Sequence, residues 1–270
     1  MTFSLLRNRL ATGVKAFSPF FMLGDPTPAL SVEICVAAVR SGAQMLELGL
    51  PFSDPVADGV EIAAAGQRAA SAGTNTAVGF ECLKQIAARV DVPLNLLVYS
   101  NLAHAQSFEV FCGAASSAGA SSLLCPDMPL EECAPLRGAC IENDLGFVQL
   151  VGPNTSRQRL AELDDSATAF LYLVSHQGIT GGCSDANDVA GLVSRVSAVA
   201  NKSVCVGFGL TTPKQISNVL DAGAQVAVVG SALAYRIRLA LEAGLDSESL
   251  LSDIEAACTS LAAHQETKTC

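Results

Sequence analysis

The stretch ELGLPFSDPVADG, residues 47–59, runs from an apolar segment into a turn-rich loop that carries carboxylates. Glu47 stands between Leu46 and Leu48, and a strand buried on both faces offers no water to an ionised side chain. Such a glutamate is either paired for structural reasons or kept for proton transfer. The loop adds Asp54 and Asp58, and loops on rigid scaffolds often carry sites. The stretch therefore indicates chemistry at the end of a buried strand.

Similar short apolar runs lie on both sides of this stretch, and a helical pattern follows each of them. Continuous Val- and Leu-rich runs are typical of parallel strands that are buried on both faces. The predicted strands are residues 16–23, 45–50, 94–99, 121–125, 147–151, 169–174, 203–209 and 225–231.

The helices expected between and after these strands also follow from apolar periodicity and from Gly, Ser and Pro breaks. They are residues 28–40, a long pattern over 60–89 with a break at 71–73, then 108–118, 130–143, 155–163, 186–199, 213–222 and 232–263.

Eight βα units within 270 residues predict an α/β fold, a closed (β/α)8 TIM barrel. We expect one domain over residues 1–270, with a short amphipathic helix over residues 1–13 ahead of the barrel. The alternative is an open, doubly wound sheet, which the lack of a GxGxxG fingerprint disfavours.

Composition narrows the range of functions. Half of the residues are hydrophobic and 16% are charged, which allows a large core, and the net charge is −10. The sequence shows no basic stripe of the kind that binds nucleic acid. It also has no 18-residue apolar run and no signal-peptide pattern, so we expect no membrane association. Ten cysteines without CxxC or metal spacing indicate buried, reduced thiols, no metal, and a cytoplasmic location.

Reacting groups of such barrels gather at the C-terminal ends of the strands. Glu47 and Asp58 fall at the second strand end, Tyr99 at the third and Tyr172 at the sixth. The loops after the last two strands commonly bind phosphate, and here they contain glycines. Ser231 adds a hydroxyl at a helix start, where free N–H groups and the helix dipole favour an anion.

Residues 47–59 resemble the signature of the tryptophan synthase alpha subunit family, which reads close to ELGxPFSDPxADG. Three further segments resemble the same family: PFFMLGDP at 19–26, GITGG at 178–182, and GFG at 207–209 followed by GSA at 230–232. These segments span nearly the whole chain in the family's order. The resemblance implies a (β/α)8 barrel that cleaves indole-3-glycerol phosphate to indole and glyceraldehyde 3-phosphate by a retro-aldol reaction. It also implies that indole passes to a beta subunit that carries pyridoxal phosphate, with no cofactor on this chain.

Site residues carried over from the family cover both carboxylates, a tyrosine, an apolar indole pocket, a functional loop threonine and a phosphate cradle. The catalytic positions are Glu47, Asp58 and Tyr172; the indole and substrate positions are Phe20, Leu97, Leu124, Thr180, Phe208 and Val228; the phosphate positions are Gly181, Gly209, Gly230 and Ser231.

The chemistry of the reaction gives the two carboxyls distinct roles. Cleavage requires a proton on indole C3 and the loss of a proton from a glycerol hydroxyl. One carboxyl can do both if its pKa lies near the working pH, and partial burial would raise the pKa of Glu47. Protonation at C3 makes the ring cationic, so the carboxylate of Asp58 at the indole N–H would stabilise that charge.

Some positions depart from the family pattern, and other functions stay open at this point. Met22 replaces a common threonine, and His176 and Gln177 differ from the usual loop residues.

The alternatives are a sugar-phosphate epimerase or isomerase, a lyase that releases free indole without a partner, and a silent subunit that only activates its partner. Metal-dependent epimerases use several His and Asp at strand ends, and His104, His176 and His264 do not provide that set, which disfavours an epimerase. The presence of both Glu47 and Asp58 disfavours a silent subunit.

The resemblance also implies a partner surface. The loop over residues 51–55 and the region over residues 129–135 would meet the beta subunit in a heterotetramer of two alpha and two beta chains.

Overall fold

The computed structural model describes residues 2–13, 15–174, 186–207 and 209–263. Within these ranges, eight parallel strands pair in the order β1-β2-β3-β4-β5-β6-β7-β8 and close into a barrel. The closed barrel confirms the predicted (β/α)8 fold. The strands are β1 (Ala16–Met22), β2 (Leu46–Gly49), β3 (Leu94–Leu97), β4 (Ser122–Leu124), β5 (Gly146–Val151), β6 (Leu171–Val174), β7 (Val204–Gly207) and β8 (Val226–Val229).

Helices surround the barrel, and most of them lie where the apolar periodicity placed them. The described helices are α1 (Thr2–Ala11), α2 (Pro28–Arg40), α3 (Val60–Ser71), α4 (Thr76–Ala87), α5 (Ser100–His104), α6 (Phe108–Ala118), α7 (Ala134–Glu142), α8 (Arg157–Ser166), α9 (Ala186–Ser197), α10 (Pro213–Asp221), α11 (Ser231–Glu242) and α12 (Ser247–Ala262). None of the described helices is long and apolar enough to cross a membrane.

One helix prediction was wrong in part, and one helix was missed. The helix predicted from residue 130 begins at Ala134, because Pro135 fits only the first turn of a helix, where its missing N–H has no partner to lose. Helix α5 was missed, since five residues are too few to show a helical period. The predicted break in the 60–89 pattern is confirmed, and Gly73 takes a positive φ of 89° there.

The barrel has two apolar layers, which follow from the alternation of side chains along each strand. Outward-facing side chains such as Leu48 and Leu96 pack against the helices. Inward-facing side chains form a second cluster in the lumen, which includes Phe20, Leu124 and Val228. The eight cysteines of the described part are free and buried, as predicted.

Helix α1 packs across one end of the barrel: Leu6 belongs to the lumen cluster, and Phe3 and Leu10 pack against that cluster. The Phe3 ring lies so close to Gly146, the first residue of β5, that a Cβ there would be 2.6 Å from it. Since Gly146 begins its strand, α1 lies at the N-terminal end of the barrel. A ligand in the lumen would therefore enter from the opposite end, where the strands finish.

A buried ion pair ties the loop after β1 to α3. The Arg68 guanidinium donates through Nε and Nη2 to both oxygens of Asp25, at 2.7 Å each, and the Asp25 side chain is 2% exposed. Burial raises the pKa of Asp25, and Arg68 opposes that rise. Taking away one partner of such a pair leaves an uncompensated buried charge.

We expect Arg68→Met to lower the free energy of unfolding at pH 8 by about 3 kcal/mol. The loss should shrink toward pH 5. Without Arg68, burial holds the pKa of Asp25 above its value in the unfolded chain. The ionised Asp25 of the variant therefore destabilises the fold as pH rises, and the protonated form does not. Urea unfolding at both pH values measures this. Arg89→Met, which breaks a solvent-exposed bidentate pair with Glu33, is the matched control and should cost far less. Equal losses for the two variants would contradict the prediction.

Candidate active site

Glu47 points from β2 into the lumen and is 1% exposed. Its two oxygens have separate donors: Tyr172 Oη donates to Oε1 at 2.9 Å, and Asn95 Nδ2 donates to Oε2 at 3.0 Å. Burial raises the pKa of Glu47 to about 7, and the two hydrogen bonds limit that rise. A carboxyl with this pKa can both take up and release a proton near neutral pH.

Asp58 lies in the loop after β2, and a tyrosine just beyond β3 holds it. Tyr99 Oη donates to Asp58 Oδ1 at 2.8 Å and accepts from the backbone N–H of Ala57 at 3.1 Å. The Tyr99 ring also stacks on Phe52, with the ring centroids 5.2 Å apart. Burial raises the pKa of Asp58 to about 6, and the Tyr99 hydrogen bond opposes this. Asp58 is thus a partly buried carboxyl in a defined position, ionised at neutral pH.

Tyr172 reaches Glu47 only because the neighbouring strand carries a glycine. Tyr172 is on β6, and a Cβ on Gly207 of β7 would be 1.8 Å from its hydroxyl oxygen. The sequence placed Gly207 in the predicted strand over residues 203–209 and also counted it among the glycines of the anion-binding loop GFG. In the structure it belongs to β7 and makes room for the Tyr172 hydroxyl.

The apolar residues predicted to contact a ring come together in the lumen. Phe20, Leu124 and Val228 belong to the same buried cluster as Tyr172, and Leu97 packs against it. Met22 is in this cluster too, so it keeps that end of the lumen apolar. Predicted positions Phe208 and Thr180, and the departures His176 and Gln177, lie outside the described residues.

The predicted anion positions after β7 and β8 lie at neighbouring strand ends, since those two strands pair. Gly209 has a φ of +78°, a conformation that favours glycine. Gly230 precedes α11, and a Cβ on it would be 3.2 Å from the Cβ of Phe20, so this turn borders the lumen. Gly181 lies outside the described residues.

The first turn of α11 leaves N–H groups for a ligand. The N–H groups of Leu233 and Ala234 donate to Gly230 O at 2.9 and 3.0 Å. The N–H groups of Ser231 and Ala232 come before these and have no intrahelical acceptor, as at every helix start. Together with the helix dipole and the Ser231 hydroxyl, they can hold an anion at this rim.

Sequence reasoning missed three of the residues that shape this site. Tyr99 was noted only as a strand end, whereas it lies beyond β3 and binds Asp58. Asn95 and Ser122, both fully buried, were not noted at all. The signal for Asn95 was the same as for Glu47: one polar residue inside an apolar strand, here LNLL.

Among the residues that the structure describes, no group of three or more His, Cys, Asp or Glu side chains is placed to hold a metal ion.

Comparisons with known proteins agree with this geometry. The model of the family described as "Tryptophan synthase alpha chain" matches residues 6–265. A tryptophan synthase alpha chain of Prochlorococcus marinus (strain MIT 9313) is 39% identical over 247 residues, which cover 89% of this chain and 90% of that protein. The corresponding chain of Methanosarcina barkeri is 41% identical over 214 residues, which cover 79% and 80%. The solved alpha subunit of Legionella pneumophila superposes with a TM-score of 0.88 at 29% identity, covering 98% of this chain and 99% of that one.

Proposed function

Since the chain belongs to the tryptophan synthase alpha chain family, whose reaction is the cleavage of indole-3-glycerol phosphate, we propose that Glu47 and Asp58 carry out that reaction here. The chain is a carbon–carbon lyase of tryptophan biosynthesis. The observation that carries the assignment of residues is the buried carboxyl of Glu47, which shares the lumen with an apolar wall.

In the proposed complex, the indole ring lies against Phe20, Leu97, Leu124 and Val228, with Phe208 as a further contact. Burying a flat aromatic ring against such side chains is favourable and aligns it. The phosphate binds at the rim, to the N–H groups and hydroxyl of Ser231 and to the backbone of Gly209 and Gly230, with Gly181 and Thr180 on the loop after β6. Anchoring at both ends places the scissile bond between them, beside Glu47.

Glu47 makes two proton transfers in the proposed mechanism, giving up one proton and accepting another. Its carboxyl delivers a proton to indole C3, and a carboxylate oxygen accepts the proton of the hydroxyl on the adjacent glycerol carbon. The bond between these carbons breaks, its electron pair remains with the indole, and the hydroxyl carbon becomes the aldehyde of glyceraldehyde 3-phosphate. Tyr172 holds the carboxyl through its hydroxyl and sets the direction of transfer.

Asp58 acts through its charge. Protonation at C3 puts positive charge on the ring nitrogen, and a fixed carboxylate that accepts from the indole N–H stabilises that charge where water is excluded. The hydrogen bonds of Tyr99 to Asp58 and of Ala57 to Tyr99 hold this carboxylate in place. No reorganisation is then needed as the charge develops.

We further propose a beta subunit as the partner, in an assembly of two alpha and two beta chains with pyridoxal phosphate on the partner. Val56 and Val60 flank Asp58 and are 75% and 79% exposed, which supports an apolar contact surface beside the loop over residues 51–55. The region over residues 129–135 would extend this surface. The cytoplasm is the proposed compartment, and the free, buried cysteines support it.

Turnover of indole-3-glycerol phosphate by the purified chain, with and without a beta subunit, tests the function. We expect measurable cleavage alone, a stimulation of at least about 5-fold in the complex, and co-elution of the two chains from a sizing column. Full activity without stimulation would instead support a lyase that releases free indole.

Val56→Asp tests the contact surface. It should abolish co-elution and stimulation while leaving the activity of the isolated chain. The control is Leu245→Asp, another exposed apolar residue, which follows α11 and so lies at the opposite end of the barrel. Retention of the complex by Val56→Asp, or its loss in both variants, would refute this surface.

A further inference from the structure

Asn95 has an unusual place for an amide side chain. It is on β3, it is 0% exposed, and its backbone pairs with Glu47 on one side and with Ser122 on the other. A buried amide without hydrogen bonds is costly, so the amide of a buried asparagine is expected to have hydrogen-bond partners. Both ends of this amide are bonded, and each end has a different partner.

The hydrogen bonds run in one direction across three strands. Ser122 Oγ donates to Asn95 Oδ1 at 2.7 Å, and Asn95 Nδ2 donates to Glu47 Oε2 at 3.0 Å. An ionised carboxylate accepts only, so it requires the NH2 end of the amide to face it. The Ser122 hydroxyl, as a donor to the other end, favours that orientation of Asn95.

We infer that Asn95, oriented by Ser122, is a positioning residue that holds the Glu47 carboxyl in the lumen and stabilises its ionised form. This inference rests on the proposed role of Glu47 and extends it to residues that contact no substrate. Tyr172 holds the other carboxylate oxygen, so the carboxyl plane is set from two sides, by β3 and by β6. A carboxyl fixed by two donors cannot rotate away from the reacting atoms without breaking one of them.

The groups that face Glu47 determine what loss of Asn95 should do. Among the described residues, Tyr172 on β6 and Cys205 on β7 are titratable groups that feel the charge of Glu47. Burial raises the pKa of both well above its usual range, so both are neutral near pH 7 and place no charge beside Glu47. The opposing forces on the Glu47 carboxyl are therefore burial, which favours the acid, and the two donors, which favour the carboxylate. Removing the Asn95 donor weakens the stabilisation of the carboxylate, so burial then raises the pKa of Glu47 further.

The test compares Asn95→Leu, which has nearly the same shape, with the unaltered chain. We expect the limb of the pH profile of kcat/KM that reports Glu47 to move up by about one pH unit, because the pKa of Glu47 rises when the Asn95 donor is lost. The direction is the same whether the acid or the carboxylate form of Glu47 begins the reaction. The value of kcat should fall at least ~10-fold with little change in KM, since a misplaced group acts mainly on the reacting step. Ser122→Ala should shift the limb in the same direction by less, and it removes only one hydroxyl should Asn95→Leu fail to fold.

Gln149→Met is the matched control. Gln149 is also a buried amide on a barrel strand, but its Nε2 donates to Ser166 Oγ and Cys133 Sγ, away from Glu47. It should lose stability and keep the wild-type pH profile. NMR titration of ¹³C-labelled glutamate carboxyls follows Glu47 directly, without turnover. Unchanged titration in Asn95→Leu and Ser122→Ala, or the same shift in Gln149→Met, would overturn the inference. Normal turnover by Glu47→Gln would instead refute the proposed role of Glu47 and leave this titration test standing.

Discussion

Glu47→Gln should lower the turnover of indole-3-glycerol phosphate by at least about 100-fold while the fold survives, because proton transfer by a positioned side chain typically contributes 10²–10⁴-fold. Glutamine has the same shape and can accept the Tyr172 hydrogen bond, but it cannot carry the proton. Asn95 can present its Oδ1 to the new amide after rotation, since the Ser122 hydroxyl accepts as well as donates. The substitution therefore removes the chemistry and leaves the packing.

The same variant should be more stable than the wild type at pH 8. The pKa of Glu47 is about 7 in the fold against an ordinary value of 4.5 for a glutamate, so the unfolded chain releases this proton first as pH rises. The wild type accordingly loses roughly 3 kcal/mol of stability between about pH 4.5 and pH 7, and the glutamine variant does not. Steady-state kinetics and urea unfolding at pH 5 and pH 8 measure the two effects.

A matched control for both effects is Glu81→Gln, the same change at an exposed position of α4. It should leave turnover and the pH dependence of stability as they are. Turnover by Glu47→Gln within a few-fold of the wild type would refute the role assigned to this residue, whatever the stability data show.

Asp58→Asn should also reduce kcat by at least about 100-fold, because the carboxylate that stabilises the protonated indole is lost. Asparagine Oδ1 can still accept from Tyr99, so the loop keeps its position. Burial raises the pKa of Asp58 to about 6, and the wild type should lose activity as pH falls through that value, since a neutral acid no longer offsets the charge on the ring. That contribution to the acid limb should be missing from the asparagine variant.

Kinetics from pH 5 to pH 9 measure this effect of Asp58. Asp165→Asn, at an exposed position of α8, is the control and should behave as wild type. An Asp58→Asn variant that keeps both its rate and its acid limb would rule out electrostatic stabilisation by this residue.

The sequence alone was sufficient to predict the barrel and to single out Glu47 and Asp58 as candidate catalytic carboxylates. Eight short apolar runs, each followed by a helical period, predict buried parallel strands, because strands covered on both faces need continuous hydrophobicity. A lone Glu47 inside MLEL and an acidic loop after it predict chemistry at a strand end, because burying a charge is costly unless the group is paired or used for proton transfer. These are local patterns, and local patterns can be read along the chain.

What the tertiary structure alone decided is which side chains meet. Tyr172 and Glu47 are 125 residues apart, and Asn95 and Glu47 are 48 apart. Their contacts depend on the register of neighbouring strands around a closed barrel. In such a barrel, every second side chain of each strand points into the same lumen. The need for a glycine at 207 arises in the same way, from the volume that the Tyr172 hydroxyl fills next to it. No spacing along the chain encodes these neighbours, because closure of the barrel creates them.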